Sequence, residues 1–383
     1  MQNICPSFSK GKDIMDWAEY SRFILEKCKE QEKPFSACFE LTPLCNFRCN
    51  MCYVRLDPDQ AKAQGKMLTS EQWIRLAEEA KRIGTTALEV TGGEASTRAD
   101  FPVLYEAFIK MGFVIILRTN GYLMSGKILE MLKKYKPLRV GITLYGASDE
   151  TYQKVCGISD GFTVVSRNIL ALRDAGIEVH LTFTITKDNE ADMQALNEWG
   201  QQNNLKIKPY GGLFTPIRGA KRDIDKLRIK YKDEDCEITD DMEFQPHNVS
   251  DRSQYLNPFW MCRGFGAIYC ISWDGRMTLC NGFTAVWKDP IKSGLENAYH
   301  ELYNDLRKIK RPKECETCKY IDFCASCPTQ MISASGDVET ACEEICRRAR
   351  RKYKRALLKD NNEKVIVNPS ELYCEEGEEP DED

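Results

Sequence analysis

Between residues 37 and 210 the sequence repeats one pattern: a short apolar run, a loop, then a helical stretch. The apolar runs, at 38–41, 87–91, 114–119, 140–144, 179–185 and 206–210, have the length of strands. The stretches at 69–83, 101–111, 125–135, 164–175 and 192–203 carry helical periodicity. The first of these opens on a capping box, Thr69 with Gln72, and sets Trp73, Leu76, Ala77, Ala80 and Ile83 on one face. Strand–helix alternation of this length predicts parallel βα units. Six units fit an open, partial (β/α)6 barrel better than a closed eightfold one. In barrels of this kind the chemistry sits at the carboxyl ends of the strands. Those ends are polar or glycine-rich here. Cys45, Cys49 and Cys52 follow the first strand, Gly92-Gly93-Glu94 the second, Thr119-Asn120-Gly121 the third, and Tyr145-Gly146-Ala147-Ser148 the fourth.

The rest of the chain is organised around that core. Residues 1–37 form an N-terminal extension, helical and amphipathic around 17–28 and stopped by Pro34. The core covers 38–215. Residues 216–258 are charged and poorly periodic, with Arg218, Lys221, Arg222 and Asp223 near their start, and read as a linker or surface excursion. A small cysteine-rich domain follows over 259–350, with a hairpin at 267–279 turning on Asp274-Gly275. A basic helix has seven Lys or Arg at 347–355, and residues 351–383 end in an acidic tail from Glu371 with the signature of disorder.

Eighteen cysteines are too many for an ordinary chain of 383 residues. No apolar signal segment or run of 18 apolar residues occurs, so the expectation is a cytoplasmic protein with no membrane span. In a reducing compartment, clustered thiols point to metal or iron–sulfur ligation rather than disulfides. They are clustered: three lie within 45–52 and nine within 262–346. A net charge of −4 argues against a general nucleic-acid binder. Three thiols in one tight loop can hold three corners of a four-iron cluster and leave one iron open. The competing reading, a structural zinc site, wants a fourth ligand, and none lies nearby.

The spacing Cys45-x3-Cys49-x2-Cys52 after a strand, with Gly-Gly-Glu one βα unit later, resembles the radical S-adenosylmethionine (SAM) superfamily over residues 38–215. That resemblance implies a [4Fe-4S] cluster on Cys45, Cys49 and Cys52 whose open iron chelates SAM. Reductive cleavage of SAM then gives a hydrogen-abstracting 5′-deoxyadenosyl radical. It further implies that Gly92, Gly93 and Glu94 hold the methionyl amine, that Thr143 lies near the ribose and carboxylate, and that Asn120 is a further SAM contact. Met51 stands where the family usually has an aromatic residue. Downstream, Cys262-x12-Gly275-x4-Cys280, then Cys315-x2-Cys318-x5-Cys324-x2-Cys327, then Cys342 and Cys346, resemble the SPASM extension of peptide-modifying members. The family has three residues between the last pair of that motif. By this resemblance Cys262, Cys270, Cys280 and Cys327 hold a nearer auxiliary cluster. Cys315, Cys318, Cys324 and one of Cys342 or Cys346 hold an outer one, for three [4Fe-4S] clusters in all. If Cys270 only fills the core, the nearer cluster keeps an open iron. The alternative for this region is one or two zinc knuckles.

The expected function is therefore that of a radical SAM/SPASM peptide maturase in a low-oxygen setting. It would abstract hydrogen from a ribosomally made precursor peptide and form a thioether or carbon–carbon crosslink, with the auxiliary clusters taking up the electron. About 37 residues precede the first strand, too few for a leader-recognition domain, so a separate recognition protein, or recognition by the SPASM surface, is expected. An electron donor such as flavodoxin or ferredoxin is a further expected partner. One rival is an anaerobic sulfatase-maturating, formylglycine-generating enzyme. Those enzymes carry an aspartate base after the cysteine equivalent to Cys280, where this chain has Asn281. The other rival is a non-catalytic iron–sulfur or zinc protein, against which Gly92-Gly93-Glu94 speaks. Cys156 reads as a packing residue, Cys5, Cys28, Cys38, Cys236 and Cys374 as ordinary, and His180, His247 and His300 as isolated. Tyr53, Tyr145 and Tyr210 are candidate lining residues.

Overall fold

The structure is a computed structural model that describes residues 17–218, 223–229, 257–324 and 327–360. Helix α1 (Trp17–Gln31) leads into strand β1 (Ser36–Glu40). After the three-thiol loop come α2 (Pro58–Gln64) and α3 (Ser70–Arg82). Then β2 (Ala87–Thr91), α4 (Phe101–Lys110), β3 (Val114–Thr119), α5 (Gly126–Lys134) and β4 (Arg139–Leu144) alternate. Two helices, α6 (Asp149–Cys156) and α7 (Gly161–Asp174), precede β5 (Val179–Thr184), and α8 (Met193–Gln202) precedes β6 (Ile207–Tyr210). The capping box expected at Thr69 is present: Gln72 N–H donates to Thr69 Oγ1 at 3.3 Å, and Thr69 N–H donates to Gln72 Oε1 at 3.0 Å.

Strands β1 to β6 pair in parallel and in chain order, which is the open six-unit barrel read from the sequence. The sheet continues past it. The hairpin β7 (Ile268–Ile271) and β8 (Met277–Thr278) turns at Gly275, whose φ is +90°. Strand β7 pairs in parallel with β1, so the order is β6-β5-β4-β3-β2-β1-β7-β8. The first hairpin of the cysteine-rich part is thus a wall of the barrel.

Alternation along the strands separates two environments. Phe39 faces outward and meets Trp73 of α3 at 5.1 Å and Phe108 of α4 at 5.7 Å between ring centroids. All three are fully buried, each worth about 2–3 kcal/mol of apolar burial. Cys38 and Glu40, on either side of Phe39, face the lumen. So do their register neighbours Glu89 and Thr91, and farther round Arg118, Gly141 and His180. His180 is therefore a lumen residue, with Nε2 3.2 Å from Glu178.

The C-terminal part adds α9 (Pro290–Ser293), α10 (Leu295–Leu306), α11 (Pro328–Ser335) and α12 (Glu343–Asp360). Helix α10 packs Tyr299 and Tyr303 under the hairpin, and Tyr299 Oη donates to Gly266 O at 2.8 Å. The basic run lies on α12. Cys5, His247, Cys236, Cys374, the acidic tail and most of 216–258 lie outside the described residues. One part of that linker overturns its reading as a surface excursion. The Arg218 side chain is only 8 % exposed and pairs with Glu40 at 2.6 Å, because a lumen carboxylate leaves a buried charge that a guanidinium satisfies. Among the described residues no single helix is long and apolar enough to cross a membrane.

Candidate active site

The loop from Thr42 to Leu56 is held from below by one ring and from the side by one helix. Phe47 is fully buried, with the rings of Tyr122, Tyr145 and Tyr152 at 5.6, 6.2 and 6.1 Å. Helix α6 ends against the loop, and its last carbonyls, which lack helical partners, accept from it. Arg48 N–H donates to Cys156 O at 2.8 Å, and Asn50 N–H to Val155 O at 2.9 Å. Two thiols are cradled by main-chain donors: Phe47 N–H lies 3.3 Å from Cys45 Sγ, and Arg55 N–H lies 3.3 Å from Cys52 Sγ. Burial pushes the Cys45 thiol up to about 12. A buried thiol of that kind ionises when a metal takes the proton's place, and the N–H donors then stabilise the thiolate. Cys49 Sγ lies 3.4 Å from Cys156 Sγ.

The glycine pair brings β2's outgoing chain onto this loop. A Cβ on Gly92 would lie 2.7 Å from Thr42 O, and one on Gly93 2.6 Å from the Leu44 carbonyl carbon. Only glycine permits that approach. Gly93 N–H donates to Thr42 O at 2.6 Å and Glu94 N–H to Leu44 O at 2.8 Å. Glu94 is 1 % exposed, and its carboxylate is fully engaged inside the protein. Oε1 accepts from Ser96 N–H and Oγ at 3.1 and 2.5 Å, and Oε2 accepts from Thr119 Oγ1 and Asn120 N–H, both at 2.8 Å. Burial raises its pKa, against the pull of those donors. The Glu94 side chain thus ties β2 to β3, while Gly92 and Gly93 face the cavity.

That cavity, about 330 Å³, lies at the carboxyl ends of the strands. Cys45, Cys49, Cys52, Gly92, Gly93, Asn120 and Thr143 line it together, with Met51, Tyr53, Tyr145 and Tyr210. Of the five residues expected to contact SAM, four line the cavity and Glu94 stands behind it. Asn120 Nδ2 donates to Asn46 Oδ1 at 2.8 Å and lies 3.6 Å from Cys45 Sγ. The donor set suits an iron–sulfur cluster: three thiols, amide donors to sulfur and, among the described residues, no competing carboxylate on the wall. The glycine-lined recess beside them suits a nucleoside-sized ligand.

The far thiols fall into two sets. Cys262 has its pKa raised, by burial first and also by the charge of Cys327. Cys280 is pushed up to about 11, by burial first and also by Cys270. Cys315 is likewise pushed up to about 11, by burial and then by Cys324, Cys346 and Cys318. Cys346 feels Cys324 and Cys318. Cys342 instead packs into the hydrophobic core at 8 % exposure, on the face of α12 that carries Ile345 and Ala349. The charges of Cys315, Cys318, Cys324 and Cys346 thus act on one another, whereas Cys342 packs into the core. Cys270 is 1 % exposed and bonds through its side chain to Cys38, its register partner across β1 and β7. Among the described residues no three His, Cys, Asp or Glu converge on a single-ion point. A cubane, unlike a lone ion, spreads its ligands apart.

Tyr53, a candidate lining residue, also accepts at Oη from Asn281 Nδ2 at 3.1 Å, linking the three-thiol loop to the segment after Cys280. Burial raises its pKa. The segment after β6 crosses the lumen: Leu213 and Phe214 line the cavity, and Phe214 stacks near Tyr53 at 5.7 Å. Polar Cys38 and Glu40 alternating with Phe39 were the sequence signal for a polar lumen.

The radical SAM superfamily model matches residues 39–200. The antilisterial bacteriocin subtilosin biosynthesis protein AlbA of Bacillus subtilis is 30 % identical over 319 residues, covering 77 % of this chain and 67 % of AlbA. Fe-coproporphyrin III synthase of Methanosarcina barkeri is 22 % identical over 331 residues, 75 % of this chain and 81 % of the synthase. Among solved structures, SuiB of Streptococcus suis bound to S-adenosylmethionine superposes with a TM-score of 0.60 at 16 % identity, covering 88 % of this chain and 84 % of SuiB. A further SuiB structure, with a TM-score of 0.59, is bound to the precursor peptide SuiA. On its three-thiol loop, its glycine cradle, its barrel and these relationships, the chain belongs to the radical SAM superfamily of enzymes.

Proposed function

We propose that this enzyme modifies a ribosomally made precursor peptide, forming a thioether or carbon–carbon crosslink. The observation that carries the reading is the Tyr53–Asn281 hydrogen bond. It joins the wall of the first cavity to the segment after Cys280, which would bring a residue reacting there near the far thiols. A 30 % identical relative in bacteriocin biosynthesis and a fold shared with a precursor-peptide-binding enzyme support a peptide as substrate.

Cys45, Cys49 and Cys52 would hold a [4Fe-4S] cluster, and Gly92, Gly93, Asn120 and Thr143 would seat SAM. Bound there, the pair supplies one electron and a hydrogen-atom acceptor at the cavity wall. The protein's own work is placement and exclusion. Gly92 and Gly93 let the ligand approach the main chain. Phe47 and α6 fix the loop. Leu213 and Phe214 roof the cavity against water. Cys262, Cys280, Cys327 and Cys270 would hold a nearer auxiliary cluster, and Cys315, Cys318, Cys324 and Cys346 an outer one. These offer the route for the electron that bond formation releases. An acidic electron carrier such as flavodoxin or ferredoxin, and a leader-recognition protein, complete the expected partners.

The sulfatase-type alternative needs a proton acceptor after Cys280. Asn281 is engaged as a donor to Tyr53 and cannot fill that role. The test is anaerobic reconstitution followed by co-expression with short peptides encoded near the gene. About twelve irons per chain, as three four-iron clusters require, and a peptide lighter by two hydrogens support the reading. Four irons or fewer, or SAM cleavage with no change in any peptide, overturns it.

A further inference from the structure

The Glu40–Arg218 pair is half made. Arg218 Nη2 meets Glu40 Oε2 at 2.6 Å, with side-chain exposures of 8 % and 1 %. Glu40 Oε1 and Arg218 Nε are buried and have no hydrogen-bond partner among the described residues. A guanidinium and a carboxylate can join through two parallel bonds; here only one is formed, and one acceptor and one donor are left over. Leaving such groups unsatisfied in the interior is costly.

The position of the pair is specific. Glu40 is in register with Thr91, which lines the cavity. Its charge reaches Tyr53, as does that of Cys280. Arg218 arrives on the segment that roofs the cavity. That segment is pinned at its end, where Ile217 N–H donates to Tyr53 O at 3.0 Å and Gln64 Nε2 donates to Arg218 O at 2.7 Å. The pair thus stands beside the cavity, on the side of the far thiols.

We propose that Glu40 and Arg218 form a subsite for the main chain of one extended peptide residue, Glu40 Oε1 accepting its N–H and Arg218 Nε donating to its carbonyl oxygen. The ligand class follows from charge. The pair is neutral as a whole and has one acceptor and one donor to offer. A carboxylate or an ammonium would leave a net charge buried, whereas the N–H and C=O of one main-chain residue satisfy both atoms and add none. The subsite reads no side chain, so it sets the register of a main chain and leaves residue choice to the cavity. It rests on the reading of the substrate as a peptide.

The probe is acetyl-Ala-Ala-Ala-methylamide, dialysed to equilibrium against the anaerobically reconstituted, SAM-loaded protein and quantified by mass spectrometry. Wild type retains the tripeptide, and acetylglycine methylamide competes with it while acetate and methylammonium do not. Arg218→Lys keeps the charge but removes the Nε donor, and weakens retention about tenfold, as loss of a hydrogen bond to a charged group requires. Bound SAM is read in the same dialysate. If Arg218→Lys also lowers SAM loading, Glu40→Asp, which withdraws the acceptor by one methylene, carries the comparison. No retention by wild type, equal displacement by acetate, or unchanged affinity in a variant that keeps its SAM overturns the subsite and leaves ordered water as the occupant. Because this test reads binding and not turnover, a crosslinked peptide could still be found with the subsite refuted. Conversely, retention without any modified peptide would refute the function and keep the subsite.

Discussion

Cys156 Sγ sits 3.4 Å from Cys49 Sγ, on the helix whose last carbonyls also hold Arg48 and Asn50. The sequence reading of Cys156 as a packing residue holds for its burial, but the thiol packs on a candidate ligand. Cys156→Ala should leave the iron content unchanged while lowering stability by about 1 kcal/mol, the usual cost of a small buried deletion. The cluster's visible absorbance should bleach faster in air. Cys156→Ser, which restores a donor to Cys49, should recover part of that lifetime. Loss of iron on Cys156→Ala would show that the residue ligates.

Cys342 and Cys346 separate cleanly. Cys346→Ala should remove up to four irons per chain, one cluster's worth. Cys342→Ala should keep them all and cost about 1–2 kcal/mol in thermal melting, as a core truncation does. Iron quantification on the two variants decides between them, and equal iron loss in both would contradict the grouping.

Gly93 has no room for a methyl group. Gly93→Ala would press a Cβ into the Pro43–Leu44 main chain, where the nearest atoms are all backbone and no flexible side chain can yield. Overpacking costs about 1–3 kcal/mol, and here it displaces the chain that leads to Cys45. Reduced iron incorporation together with a lower melting temperature is the expected result. Normal iron with normal melting would mean the loop can move aside.

Glu94 gives a pH signature. Its folded pKa is raised above the ordinary 4.5 by burial. The folded state therefore holds the proton more tightly than the unfolded chain. The stability this brings is fully present below 4.5 and is lost as pH rises through the folded value. Thermal melts of the apoprotein from pH 4.5 upward should decline in wild type. Glu94→Gln should flatten that decline, and SAM retention should fall because the tie between β2 and β3 is altered. A parallel decline in both proteins would assign the slope to other groups.

Much of this was open to reading in the chain. Strands β2 and β3 were legible to the residue, since each is a short apolar run ending in a threonine. Helix α6 was not, because eight residues with three apolar side chains give too little periodicity. Cys38 was read as ordinary, yet it lies against Cys270, which β1–β7 pairing alone brings beside it. Arg218 was assigned to a surface excursion because its neighbours are charged. Its partner Glu40 is 178 positions away, and no local pattern encodes such a contact. That Cys342 packs into the core while Cys346 does not could be read only from the face of α12 that meets the core.

The sheet does not close on itself: β6 ends it on one side and β8 on the other. A ring of strands would fix the width of its lumen by closure. Here a displacement of β7 breaks only its pairing with β1 and leaves the five pairings among β1 to β6 intact.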